Sequence, residues 1–218
     1  MKAIVIAAGR GKRLGVHTDE VPKTLVQVGA RTMLGWQLRA FAAAGVDELV
    51  IIRGYRGDVL EAGARAALPP GMTVRFVDNP DWEHNNILLS LACARAELDG
   101  PTYLTYSDII FTPSVVRALA AGPGPIDLVI DADFRDIYVG RDQHPLDEGE
   151  VSDLDAAGRV RRVGKRSLPP AEAYGEFIGL ARLDATGAAV VDAALDELAE
   201  RYRGREDQPY QRAARYSN

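Results

Sequence analysis

The chain has 218 residues, 47% of them hydrophobic, enough for one sizeable core and short of what two independent domains usually need. A formal charge of −5 and a pI near 5.3 argue against general nucleic-acid binding, which needs a net basic face, so any phosphate ligand must meet a local group of Lys and Arg. The single cysteine, Cys93, excludes an internal disulfide framework or a cysteine metal site and makes a reducing cytoplasm the default compartment, and no apolar stretch approaches the length of a membrane span.

Residues 2–8 form a continuous apolar run, too short for a secretory leader and followed at once by Gly9-Arg10-Gly11-Lys12-Arg13, so they read as a strand covered on both faces. Helical spacing then covers residues 32–44, with Gly45 as C-cap, and residues 48–53 read as the next strand. The alternation continues with helix 58–68, strand 72–78, helix 86–98, strand 101–106, helix 114–121 and strand 127–132. This β/α rhythm predicts an α/β fold, Rossmann-like and doubly wound, with a mostly parallel mixed sheet flanked by helices. Residues 133–150 turn polar and charged and read as a surface loop or a substrate-binding insertion, with the loop favoured on composition. Two short strands within 151–165 flank a turn at Asp155 to Val160, followed by strand 177–183 and an Ala-rich helix over 185–202. The whole is expected to be a single domain over 1–218, with 133–183 as a subregion, and residues 205–218 add no closing element.

After the first strand come Ala7-Ala8-Gly9-Arg10-Gly11-Lys12-Arg13-Leu14-Gly15. Small residues and glycines let backbone N–H groups approach an anion, while Lys12 and Arg13 add charge, which makes a phosphate cradle. The other reading is a tight β-to-α turn with solvated basic residues. Leu14 occupies the last glycine place of a dinucleotide fingerprint, and no Gly-Lys-Ser/Thr triplet marks a Walker loop. Ten residues further on, Val21-Pro22-Lys23-Thr24-Leu25 presents a second cation on a proline-stiffened approach.

These two segments together resemble the signature of the sugar-phosphate and choline-phosphate nucleotidyltransferase superfamily, of MobA-like type. The resemblance implies the nucleotidyltransferase fold, a loop backbone (Ala7, Ala8, Gly9, Gly11, Lys12) that holds base and phosphates, and two catalytic cations. Arg13 would take the β- and γ-phosphates of an NTP, and Lys23 would bind phosphate and steady the transition state. Asp108, at the carboxyl end of strand 101–106, stands where α/β sheets place ligands and offers a hard oxygen to Mg²⁺; the other reading is a simple cap of the turn. The resemblance assigns it to the metal.

Asn85, Asn86 and Ser90 open the helix over 86–98 and either cap it or face a pyrimidine edge. Their Asn-Asn-x-x-x-Ser-Leu spacing resembles the choline-phosphate and phosphonate cytidylyltransferases, which implies CTP as donor. By the same resemblance Arg141, His144, Lys165 and Glu176 lie on the acceptor side, with Arg141 suited to a phosphate or phosphonate. His144 could equally brace its loop, and Glu176 could pair with Lys165. The family's second metal-binding aspartate has no counterpart before Asn218, so truncation at the C-terminus is expected, with Asp131, Asp133 and Glu176 as alternative carboxylates. The expected activity is transfer of CMP from CTP to a small phosphonate or phosphocholine-like acceptor, with neither nucleic acid nor membrane as partner and with a homodimer admitted. The competing readings are a sugar-1-phosphate nucleotidyltransferase and a catalytically idle nucleotide-binding module.

Overall fold

A computed structural model of the chain describes residues 1–141 and 145–201. Two compact units emerge: Met1–Asp127 together with the chain from Ala181 onward, and Leu128–Leu180. In chain order the first unit holds β1 (Lys2–Ile6), the short hairpin β2 (Gln27–Val28) and β3 (Arg31–Thr32), α1 (Met33–Ala42), β4 (Glu48–Arg53), α2 (Gly57–Ala67), β5 (Thr73–Asp78), α3 (Ile87–Cys93), β6 (Thr102–Tyr106) and α4 (Pro113–Ala120). The chain then passes through β7 (Ile126–Asp131) into the second unit, with β8 (Glu150–Leu154), β9 (Val160–Lys165) and β10 (Gly175–Leu183), and closes on α5 (Ala185–Arg201). The fold is α/β, with a mixed, mostly parallel sheet flanked by helices.

Ala3, Ile4 and Val5 of β1 and Leu49 to Ile52 of β4 are wholly buried, as continuous apolar strands of a parallel sheet require. The four strands of the first unit lie in the order β5-β4-β1-β6, all parallel. From β1 the chain winds outward through β4 to β5 and then crosses back to β6 on the other side. The direction of winding therefore reverses between β1 and β6, whose last residues Ile6 and Tyr106 stand in register. Loops leaving the carboxyl ends of such a strand pair diverge and leave a crevice for a ligand.

Helix α1 packs Leu34, Leu38 and Phe41 inward, one face at helical spacing, with the Phe41 ring 5.8 Å from Tyr103 and 5.2 Å from Phe111. Its N-terminus is capped by the Thr32 hydroxyl, which accepts from the Gly35 N–H at 3.0 Å. The helix expected over 86–98 is instead α3 followed by a 3-10 turn at Arg95–Glu97. Arg95 forks onto Asp192 and Asp196 of α5, and Glu97 accepts from Lys2 at 3.1 Å and from Arg75 at 2.6 Å. Those long-range ion pairs tighten the last turn.

In the second unit β8 pairs antiparallel with β9 and with the start of β10. The turn between β8 and β9 is built by Asp155, whose Oδ1 accepts from the Ala157 and Arg159 N–H groups at 2.9 Å each. The surface-loop reading of 133–150 is corrected here. Phe134 and Tyr138 are buried and form the core of this unit with Val151, Leu168 and Ala173. Arg135 donates to the carbonyls of Pro170 and Ala173 at 2.6 and 2.7 Å. Composition counted the charges; the two rings, one helical turn apart, decide the fold.

Gly54, just past β4, has no room for a side chain: a Cβ there would lie 2.6 Å from the Cβ and Cγ of Trp82 and 2.8 Å from the Ala8 carbonyl oxygen. Gly54→Ala is therefore expected to destabilise the fold by about 1–3 kcal/mol. Urea denaturation would show this as a lower midpoint at constant slope, and a wild-type midpoint would contradict it.

Candidate active site

The glycine-rich loop leaves β1 under restraint from the core. Ala7 and Ala8 are buried; the Ala7 N–H donates to Ile52 O and the Ala8 carbonyl accepts from the Tyr55 N–H, both at 2.9 Å. Gly11 takes a left-handed φ of 76°, and a 3-10 stretch, Lys12–Thr18, follows with a kink at Gly15. Thr18 is fully buried, and its hydroxyl lies 3.1 Å from Gly15 O and 3.3 Å from Gly11 O. Tyr55 holds the far end: its hydroxyl proton is shared between the carbonyls of Thr18 and Asp19, at 2.9 and 2.8 Å. Arg10 lies over the Tyr55 ring at 5.5 Å and pairs with Asp19 at 2.8 Å. Tyr55 was not legible as a site residue, because nothing local marks a tyrosine that grips residues 36 and 37 positions away.

Within this frame Lys12 and Arg13 are exposed and make no ion pair among the described residues. Most other arginines of the unit have acidic partners: Arg53 pairs with Asp78 and Glu61, Arg75 with Glu48 and Glu97, and Arg56 with Glu20. The loop thus keeps positive charge available in an acidic chain.

Lys23 is delivered by extended Pro22 into a short turn, Lys23–Leu25. Its side chain runs over Gly11, where an added Cβ would stand 2.8 Å from both the Cβ and the Cδ of Lys23. The Lys23 ammonium then reaches Asp108, Nζ to Oδ2 at 2.7 Å. The structure so brings together the loop, the second cation and the strand-end carboxylate. A single carboxylate suits a Mg²⁺ that keeps several waters and takes its remaining ligands from substrate phosphates. Among the described residues no group of three or more His, Cys, Asp or Glu could hold a metal ion by itself.

Asn85, Asn86 and Ser90 lie on the segment after β5, engaged with one another. Asn79, which is buried, donates to Asn85 Oδ1 at 2.8 Å and to Ser90 Oγ at 2.9 Å, and accepts from Asn85 Nδ2 at 2.9 Å. Ser90 in turn donates to Asn86 O at 2.9 Å, and the Asn86 side chain caps α3 by accepting from Leu88 and Leu89 N–H groups. These side chains shape the segment. Asn79 had a sequence signal, the Asn79-Pro80 step, but not one that marks a buried hub.

In the second unit the Glu176 carboxylate accepts from the Tyr138 hydroxyl at 2.5 Å, and the Arg141 guanidinium lies over the Tyr138 ring at 5.0 Å. Burial first, and then the Glu176 carboxylate, push the Tyr138 phenol well above its usual range. Lys165 is exposed on β9, and Glu176 is engaged by Tyr138. His144 lies outside the described residues.

A family model described as the MobA-like NTP transferase domain matches residues 3–148. The CMP-5'-(3-aminopropyl)phosphonate synthase of Streptomyces rubellomurinus is 38% identical over 125 residues, 56% of this chain and 19% of that protein. The CTP:phosphoglutamine cytidylyltransferase of Campylobacter jejuni is 25% identical over 186 residues, 83% of this chain and 72% of that protein. The chain thus spans about a fifth of the first relative and most of the second. Among solved structures, the inositol-1-phosphate CTP transferase from T. maritima has a similar fold, with a TM-score of 0.67 at 21% identity, covering 87% of this chain and 72% of that one. Among the described residues no helix is long and apolar enough to cross a membrane.

The dependence of Lys23 on Gly11 is testable without any ligand. Gly11→Ala forces a side chain into a left-handed φ and against the root of Lys23, and is expected to cost about 1 kcal/mol of stability while displacing the ammonium. A crystal structure of the variant should show the Lys23–Asp108 pair opened beyond hydrogen-bond reach; a retained pair would refute the dependence.

Proposed function

The chain belongs to the MobA-like NTP transferase family, and from that premise we propose that it transfers CMP from CTP to a small acceptor bearing a phosphonate or phosphate, with release of pyrophosphate. The observation that carries the reading is the Lys23–Asp108 pair held over the glycine-rich loop at the point where the strand order reverses. One relative is named for a CMP-phosphonate product and another as a CTP:phosphoglutamine cytidylyltransferase, which supports CTP as donor and a phosphorus-bearing acceptor, while sugar-1-phosphate transferases among the relatives keep a sugar 1-phosphate acceptor as the second reading.

In the proposed reaction an acceptor oxygen attacks the α-phosphorus of CTP, a bond forms between them, and the bond from the α-phosphorus to the bridging oxygen of the leaving pyrophosphate breaks. A phosphonate or phosphate oxygen is already ionised, so no general base is required and catalysis reduces to alignment and charge neutralisation. Loop N–H groups from Ala8 to Lys12 cradle the nucleotide, the Ala7 N–H being held by Ile52 O; Arg13 meets its outer phosphates, and Lys23 trades part of its contact with Asp108 for phosphate oxygens. Asp108 would hold a Mg²⁺, and when bound that ion would supply further neutralisation of phosphate charge. The segment of Asn85, Asn86 and Ser90 borders the base, and Arg141, Lys165 and Glu176 serve the acceptor.

Pyrophosphate release measured with CTP, UTP, GTP and dTTP against aminoalkyl phosphonates, phosphocholine and a sugar 1-phosphate tests the reading. Turnover is expected with CTP and a phosphonate or phosphomonoester. Turnover confined to a sugar 1-phosphate with another nucleotide would replace it, and CTP binding without pyrophosphate would indicate an idle module. Lys23→Ala should lower kcat by roughly 10²- to 10³-fold. Its melting temperature should barely move, since the ion pair is partly exposed.

A further inference from the structure

Gln37 occupies a place on α1 where helical spacing calls for an apolar residue: it sits beside Leu34, Leu38 and Phe41 and is fully buried. Its side-chain amide nitrogen donates both protons to backbone carbonyls, to Tyr106 O at 2.8 Å and to Ile109 O at 2.8 Å. Those two carbonyls flank the Ser107-Asp108 turn that ends β6. The amide oxygen of Gln37, by contrast, is buried without a partner among the described residues. A buried polar atom left unpaired costs about 1–3 kcal/mol, so an apolar residue here would relieve one penalty while taking the donor from Ile109 O and leaving Tyr106 O with the Thr105 hydroxyl, at 3.0 Å.

We infer that Gln37 is a positioning residue for Asp108: one amide staples the turn at both ends and fixes where the carboxylate leaves the strand. This rests on the cytidylyl-transfer reading only in what Asp108 is positioned for. On the other side Asp108 meets Lys23, whose own course is set by Gly11, so the two charged groups are held from independent supports. Helix α1 reaches the site through one side-chain amide that grips the backbone of the turn, which is why no charged or nucleophilic residue on it announces a role.

The test is Gln37→Met, of nearly the same length and without donors. In a folded variant kcat for pyrophosphate release from CTP should fall roughly 10- to 100-fold, as a small misplacement of a reacting constellation does, while KM for CTP moves less than about threefold. Combined with Asp108→Asn, the Met substitution should add less than about threefold to the loss, because the group it acts through is gone. Amide hydrogen exchange over residues 106–110 should speed up about tenfold while β1 and β4 stay protected. That last readout needs no turnover. If the wild-type chain releases no pyrophosphate with any nucleotide, the proposed function fails while exchange still reads Gln37. Unchanged exchange, unchanged kcat in the folded variant, or losses that multiply with Asp108→Asn would each overturn the inference. Should Gln37→Met not fold, Gln37→Glu, which keeps the length and donates one bond when protonated, is read by the same measures.

Discussion

The contact between Lys23 and Asp108 joins residues 85 positions apart, and the rest of the unit is arranged so that it can form. Asp108 comes off β6 and the glycine-rich loop off β1, neighbouring parallel strands about 4.8 Å apart, so both emerge at one end of the sheet. A parallel pair needs a crossover between its strands, and here that crossover runs from the β2–β3 hairpin and α1 through β4, α2, β5 and α3. The pair itself, with side chains 22% and 38% exposed, adds little to stability. Its consequence is geometric: a compact cation and a hard anion stand ready at the crevice before any ligand enters.

Charge is distributed to the same end. An acidic chain repels polyphosphate in general, yet its arginines are largely neutralised by neighbours away from the loop. Arg95 takes two aspartates from α5, Arg182 pairs with Asp127 at 2.8 Å, and Arg10 is turned back onto Asp19 and the Tyr55 ring. Lys12 and Arg13 are left facing solvent. Local positive potential therefore arises less from adding cations than from withholding anions around two of them.

Much of this was legible in the order of residues. The run from Ala3 to Ala8, the glycines after it, the Pro22-Lys23 step and the strand-end Asp108 are local signals, each readable within a few positions. Their meeting was not readable from spacing, since strand order decides it; only the family resemblance linked them. Tyr55 and Gln37 stayed silent for the same reason, and the Asn79-Pro80 step marked a turn without marking its hub. Each acts through hydrogen bonds to a distant or buried partner, and each looks locally like ordinary turn or helix chemistry. The segment after β7 misled in the opposite way, because its exposed charges outnumber Phe134 and Tyr138, which carry its packing.

The polar residues buried around the site also show where this fold departs from maximal stability. Among the described residues Gln37 keeps an unpaired amide oxygen, and Thr24, buried next to Lys23 in the chain, keeps an unpaired hydroxyl. An apolar residue would suit the core better at position 24, whereas at position 37 it would exchange one unpaired atom for the loss of two donated hydrogen bonds. Retaining amide and hydroxyl there is consistent with a site whose groups must stand at fixed places, because fixed dipoles act on a developing charge without having to reorient. Protein interiors tolerate a few such penalties when the rest of the core is dense, and the wholly buried centres of β1 and β4 provide that density directly behind the loop.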